Sequence, residues 1–183
     1  MPVSRPLQTV VLVESIALVR ELDTQELYRS HYQRLHRFAY AFSGSEARAA
    51  EAVQEAFLDL IRRPGQFDPQ RGTALSFMFG MVRNRLLTAR RLEREEPLEF
   101  DSATDEDLLS HLEREERIVA VREAILMLPE HYREVVVLCE IEECSYEETA
   151  SALELPIGTI RSRLSRAKQQ LRLRLKEHEG SRS

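Results

Sequence analysis

Tryptophan is absent from the 183-residue chain, glycine and proline are few (six and seven), and Cys139 and Cys144 are its two cysteines. Two thiols make no disulfide framework, and such usage suits a reducing cytoplasm, which is the expected location. On one continuous helix residues five apart do not share a face, so the pair reads as small buried hydrophobes rather than a metal or redox site. β-Branched residues nowhere alternate with polar ones over a long run, which argues against a β fold. No apolar run is long enough to cross a membrane. The opening "MPVSRPLQTVVLVESIALVR" has an apolar core, but Glu14 interrupts it and no small-residue cleavage site follows. It reads as a flexible or partner-binding extension over residues 1–22. The histidines (His31, His36, His111, His131, His178) fall into no metal-ligand spacing. With no nucleophile–base set and no glycine-rich phosphate loop, neither catalysis, a metal nor a cofactor is expected.

What the chain does have is helix formers. Hydrophobic residues make up 43% and charged residues 31%, with Leu, Ala, Glu and Arg prominent, a globular and helical composition. The first helix opens at "LDTQEL", with Asp23 as N-cap and Leu22 and Leu27 as a hydrophobic staple. Leu27, His31, Leu35, Phe38 and Phe42 follow as one stripe. "SGS" ends that helix, and "EARAAEAVQEAFLDLIRR" forms a second with Ala49, Val53, Ala56 and Leu60 inward. "PGQFDPQRG" breaks the chain. A third helix, from about Thr73 to Leu92, is apolar at its start and basic at its end. Residues 95–116 then hold ten acids against one arginine, the composition of a solvated linker. Ile118, Val121, Ile125 and Leu128 lie on one face of a fourth helix, and Pro129 restarts the chain as a fifth. Ser145 and Glu148 make a capping box for a sixth. Pro156 and Gly158 mark the turn into a long seventh helix. The predicted fold is all-α: two small bundles, residues 23–94 and 115–177, joined by an acidic linker at 95–114 and followed by a tail at 178–183.

The net charge is −5, yet residues 161–176 carry seven cations (Arg161, Arg163, Arg166, Lys168, Arg172, Arg174, Lys176) and no acid. A merely solvated helix usually mixes signs, because opposite charges four apart are mildly stabilising. Here a single sign follows a short helix and a turn. The apolar stripe Ile160, Leu164, Ala167, Leu171 and Leu175 leaves Arg161, Ser162, Ser165, Arg166, Lys168, Gln169 and Arg172 outside it. That arrangement is a helix-turn-helix, whose second helix enters the major groove of DNA. Arginine can bind guanine with two hydrogen bonds, and serine reaches bases or phosphates.

Two segments carry a family resemblance. In "LPEHYREVVVLCEIEECSYEETASALELPIGTIRSRLSRAKQQLRLRL" the matching residues include Leu128-Pro129-Glu130, Arg133-Glu134-Val135, Ser145-Tyr146-Glu147-Glu148 and residues 158–164. It resembles region 4 of bacterial sigma-70-family factors of the extracytoplasmic-function group. "AVQEAFLDLIRR" with "FDPQRGTALSFMFGMVRNRLL" is similar to region 2 of the same group. Together they cover roughly residues 24–94 and 115–175. The resemblance implies a subunit that binds core RNA polymerase, directs it to promoter DNA and answers to an anti-sigma factor. It implies polymerase contacts at Gln54, Glu55 and Asp59, read as exposed polar residues. It implies contact with the −10 element through Phe67, Arg83, Asn84, Arg85, Arg90 and Arg91, with the loop "FDPQRG" shaping a base pocket; Phe77 and Phe79 also lie near the captured strand in the family, but their strongly apolar run reads as core. The −35 element falls to Arg161, Ser162, Arg163, Ser165, Arg166 and Lys168. The acidic linker could imitate a nucleic-acid backbone in polymerase channels, or shield the basic faces. Arg48, Ala50 and Ala52 depart from the family pattern ahead of "VQEAF". Ala74 stands where an aromatic is frequent, and Phe77 where a tryptophan is common. Two other readings stay open: a helix-turn-helix regulator acting without polymerase, and a sigma-like decoy that titrates an anti-sigma protein.

Overall fold

The computed structural model describes residues 24–95 and 112–180. The N-terminal extension, the Asp23 cap, the Leu22 staple, linker residues 96–111 and tail residues 181–183 lie outside the described residues. Among the described residues there are seven α-helices and no strand.

Helix α1 (Thr24–Ser43) buries Leu27, Leu35, Phe38, Ala39 and Phe42; His31, placed on the same stripe by its spacing, is half-buried. Gly44 stops the helix at φ 72°, where an L side chain is strained. Ser45 then caps α2 (Glu46–Arg62), its hydroxyl accepting from the Arg48 amide. Helix α2 buries Ala49, Val53, Ala56 and Leu60 as expected, with Ala52, Phe57 and Asp59 besides. A 3₁₀ turn (Pro64–Gln66) and a loop follow. The Thr73 hydroxyl accepts from the Ser76 amide at 3.1 Å and so opens α3 (Ala74–Glu95). Helices α1, α2 and α3 pack on one another as the first bundle.

Helix α4 (Leu112–Leu126) begins inside the stretch read as linker. Of its predicted face, Ile125 is buried with the following Leu128, but Ile118 and Val121 stay exposed; the C-terminal end of the helix reaches the core through Ala124 and Ile125. Helix α5 spans Glu130–Val136. It widens into a π turn (Val137–Ile141), where the Glu142 amide donates five residues back to the Val137 carbonyl at 2.9 Å. Glu143 then adopts φ 54°. The predicted capping box is present at α6 (Tyr146–Leu153): the Ser145 hydroxyl accepts from the Glu148 amide at 3.1 Å, and the Glu148 carboxylate accepts from the Ser145 amide at 2.9 Å. The turn out of α6 has its left-handed residue at Glu154, φ 53°; Pro156 directly precedes α7 (Ile157–Gly180), and Gly158 sits in its first turn. Ile160, Leu164 and Ala167 are buried, and Leu171 is partly buried against the same core.

The two bundles share one apolar core. Helix α3 lies on α6, and α1 meets α4, α5 and the π turn. Gly80 permits the α3–α6 approach: a Cβ there would stand 2.8 Å from the Ala152 carbonyl oxygen. Arg133, 6% exposed, ties the bundles at a second point. Its guanidinium donates to the Phe42 carbonyl at 2.7 Å, to Leu128 at 3.0 Å, to Ile125 at 3.2 Å and to Leu126. These carbonyls lie at or just beyond the C-terminal ends of α1 and α4, where helices leave acceptors unsatisfied.

Candidate nucleic-acid interface

The start of α7 presents its polar face to solvent. Arg161, Ser162, Ser165 and Arg166 are exposed, because the stripe of Ile160, Leu164 and Ala167 fixes the helix by its opposite side. The Arg161 guanidinium lies 5.6 Å over the Tyr146 ring, a cation–π contact that orients it. Ser162 donates its hydroxyl proton to the Thr159 carbonyl at 3.0 Å. The other two members of the predicted −35 set are held by acids. Arg163 donates to Glu134 at 3.1 Å, and the Lys168 ammonium lies 2.8 Å from Glu140.

The predicted −10 residues lie on and beside α3, and the structure divides them. Asn84 and Arg91 are exposed. Arg83 donates to Glu134 at 2.5 Å, and Arg90 pairs with Glu130 at 2.5 Å. Arg85 turns inward to Asp59, with Glu55 at 3.9 Å. Phe67 is half-buried and packs on Phe77 at a ring separation of 5.7 Å. Phe79 is a core residue, 1% exposed, and Phe77 is partly buried against that core. Phe67, Gln66, Arg71 and Phe77 line one wall of a cleft of about 480 Å³; Ser151, Glu154 and Pro156 line the other. The expected base-capture loop therefore faces the turn of the helix-turn-helix.

The polymerase-contact set needs one correction. Gln54 is exposed and Glu55 half-exposed, but Asp59 is buried. It sits between Arg85 and Arg63, the latter at 3.2 Å. Its spacing on α2 faces the α3 side, where the arginines neutralise it. The Arg85 hydrogen bond, then Arg63, hold its carboxyl below the usual range against an opposing desolvation.

Sequence reasoning missed the two most buried acids among the described residues, Glu134 and Glu142. The Glu134 carboxylate bridges Arg83 of the first bundle and Arg163 of the second. Glu142, whose side chain has no exposed surface, accepts from Arg37 at 2.7 and 2.9 Å and from Arg34 at 3.3 Å. That hydrogen bonding raises the Arg37 pKa further. The signal was available: Glu142 follows Val135 and Leu138 at spacings of three and four, so it continues an apolar stripe. Cys144 lies beneath this site; burial pushes its thiol up to about 11, which leaves it unreactive at neutral pH. Among the described residues no cluster of His, Cys, Asp or Glu is arranged to hold a metal, and no helix is long and apolar enough to cross a membrane.

Comparison with known proteins decides the family. Sigma-70 region 2 matches residues 27–96, and sigma-70, region 4 matches residues 118–171. The chain belongs to the sigma-70 family, in the ECF group. The ECF RNA polymerase sigma factor SigE of Mycolicibacterium smegmatis is 36% identical over 162 residues, covering 84% of this chain and 62% of that protein. EcfG of Rhodopseudomonas palustris is 33% identical over 144 residues, covering 75% and 76%. The fold is that of the sigma factor RpoE solved with the anti-sigma factor NepR from Bartonella quintana, with TM-score 0.69, 24% identity, and coverage of 84% of this chain and 97% of that one.

In this ECF sigma factor, region 2 is α1–α3, and the region 4 match runs from within α4 into α7. The geometry offers four exposed polar residues at the start of a basic helix, suited to a groove lined with phosphates and base edges. It also sets further arginines beside carboxylates, where a phosphate would have to replace an acid already in place.

Proposed function

We propose that the chain binds core RNA polymerase and directs promoter-specific initiation in the cytoplasm, under the control of an anti-sigma factor. Both regions occur in order on one chain that is similar to ECF sigma factors over more than four fifths of its length in one relative. One observation carries the reading: α7 turns Arg161, Ser162, Ser165 and Arg166 outward at the second helix of a helix-turn-helix. Those four read the −35 element, joined by Arg163 and Lys168 once their acids let go. Gln54 and Glu55 meet the polymerase from the free face of α2, and Asp59 supports that helix from within. Asn84 and Arg91 meet −10 strand phosphates directly, with Arg83 and Arg90 after release from Glu134 and Glu130. Arg85 positions α3 against α2. Phe67 supplies a stacking platform, worth about 1–3 kcal/mol per captured base, which offsets unstacking of a few kcal/mol. The phosphoryl chemistry belongs to the polymerase.

The test is run-off transcription with purified core polymerase on a library of upstream DNA fragments, with and without the protein. Initiation confined to a subset of fragments supports the reading. DNA binding without initiation identifies a regulator acting without polymerase. Neither, together with capture of an anti-sigma protein, identifies a decoy.

A further inference from the structure

The free face of α2 runs from polar to apolar. Gln54, Leu58 and Ile61 recur at spacings of four and three, which sets them in one row along the helix. Gln54 is exposed and Leu58 half-buried, and Ile61 is 59% exposed. Tyr28 of α1, 44% exposed, borders the apolar end of that row: its ring lies 5.0 Å from that of Phe57, one turn before Ile61. The same contact fixes where the preceding chain enters. Tyr28 is one turn from Thr24, the start of α1, so residues 1–23 join region 2 beside Ile61. Those residues carry apolar surface of their own. Eight of the ten residues 10–19 are apolar, Val10 to Val13 and Ile16 to Val19. Leu12, Ile16 and Val19 fall at spacings of four and three, the pattern of one helix face. The run is too short to cross a membrane.

We infer that residues 9–19 fold back onto the Tyr28–Leu58–Ile61 surface of region 2 and lie across the row that leads to Gln54, so that the chain's own segment competes with the polymerase for α2. The docking stands on the apolar surface alone; what it masks rests on the polymerase-binding reading. The tether selects this occupant. Val19 is five residues from Thr24, a gap that spans at most about 18 Å when extended. A short flexible tether holds its segment at an effective concentration of about 1 mM. A contact with an intrinsic dissociation constant of about 0.1–0.5 mM, too weak to recruit a second copy at micromolar concentration, is then mostly formed within one chain. About a tenth to a third of the molecules stay open, and the apparent affinity for a partner of that face falls by the same fraction. The driving force is cover for apolar side chains on both surfaces. Because Ile61 and Leu58 share their row with Gln54, the segment obstructs the partner without touching the DNA-facing helices.

The experiment uses the full chain. It has no tryptophan, so one introduced indole reports alone. Leu12→Trp is placed in the unaltered background, and its emission maximum and acrylamide quenching read the burial of the indole. Emission shifted to the blue and weak quenching are expected. Adding Ile61→Glu sets a charge in the docking surface and should return the indole to water; Tyr28→Ser, at the other border, should act likewise, and thermal melts show that both variants fold. Masking is read with L12E/I16E, which changes only the segment. It should bind purified core polymerase about 3- to 10-fold more tightly than the unaltered chain. An indole equally quenched with and without both surface substitutions overturns the docking. Burial that grows with protein concentration identifies a second copy as the occupant and overturns the folding back. An indole released as expected, with no gain in polymerase affinity for L12E/I16E, overturns the masking. If the indole is released as expected and no form binds the polymerase, the docking stands and the polymerase-binding reading falls.

Discussion

Replacing Arg133 by methionine keeps an unbranched apolar stem and deletes the donors that join the C-terminal ends of α1 and α4. The guanidinium serves four carbonyls: Phe42, Ile125, Leu126 and Leu128. The Ile125 oxygen also accepts the Leu128 amide at 3.0 Å, so it stays satisfied. The other three lose a charged donor in a site only 6% exposed. A bond from a charged donor contributes about 1.5–3 kcal/mol net, and an orphaned buried acceptor costs about 1–3 kcal/mol, less where it can turn to water. The loss should therefore fall near 3–5 kcal/mol, a large part of the roughly 5–15 kcal/mol that holds a domain. Urea unfolding followed by circular dichroism reads it. With a slope of about 2 kcal/mol per molar, the midpoint should fall by about 1.5–2.5 M. Arg133→Lys keeps the charge but lacks the planar fork, and should land between the two. A methionine variant within about 1 kcal/mol of the unaltered protein would refute the argument, because the carbonyls would then be hydrated in the native state.

Two further outcomes follow from the bundle junction and from α2. Gly80→Ala adds a helix-favouring residue, a gain of up to about 1 kcal/mol, but drives a Cβ to 2.8 Å from the Ala152 carbonyl oxygen; overpacking should win by about 1–3 kcal/mol, and a raised thermal midpoint would contradict the close α3–α6 seat. Asp59 has its carboxyl pKa lowered from 3.8 by Arg85 and Arg63, so the folded state binds its proton less readily than the unfolded one. Its stabilising share is present above pH 3.8 and lost as pH falls through the lower folded value. Asp59→Asn should thus be less stable at neutral pH and close the gap below pH 3.8 in melts taken across an acid series; a constant gap would show that Asp59 acts by shape alone.

Much of the helical layout was legible because its causes are local. The 3.6-residue stripes placed α1, α2 and α7, and the Ser145–Glu148 reciprocity opened α6 where expected. Two details of backbone geometry were not legible: Glu154 takes the left-handed turn position without being glycine, and a π turn follows α5. The outward cations of α7 were legible too, since a stripe that faces inward leaves its complement outside. The partners of Arg83, Arg85 and Arg90 were not. Each is paired with an acid 26, 40 or 51 residues away, and no rule of spacing reaches so far.

By itself the sequence determined that the chain is helical, that it carries two sigma regions in order, and which face of its last helix is basic and free. Stripes, caps and single-sign charge act over one or two turns, and their effects are written in adjacent residues. Only the tertiary structure decided that the two regions seat on each other, that Gly80 sets how closely, that Glu134 draws an arginine from each region and that Glu142 draws two from the first. The reason is that a buried carboxylate can stay charged only where the fold brings cations to it, and which cations arrive is settled by packing between distant helices.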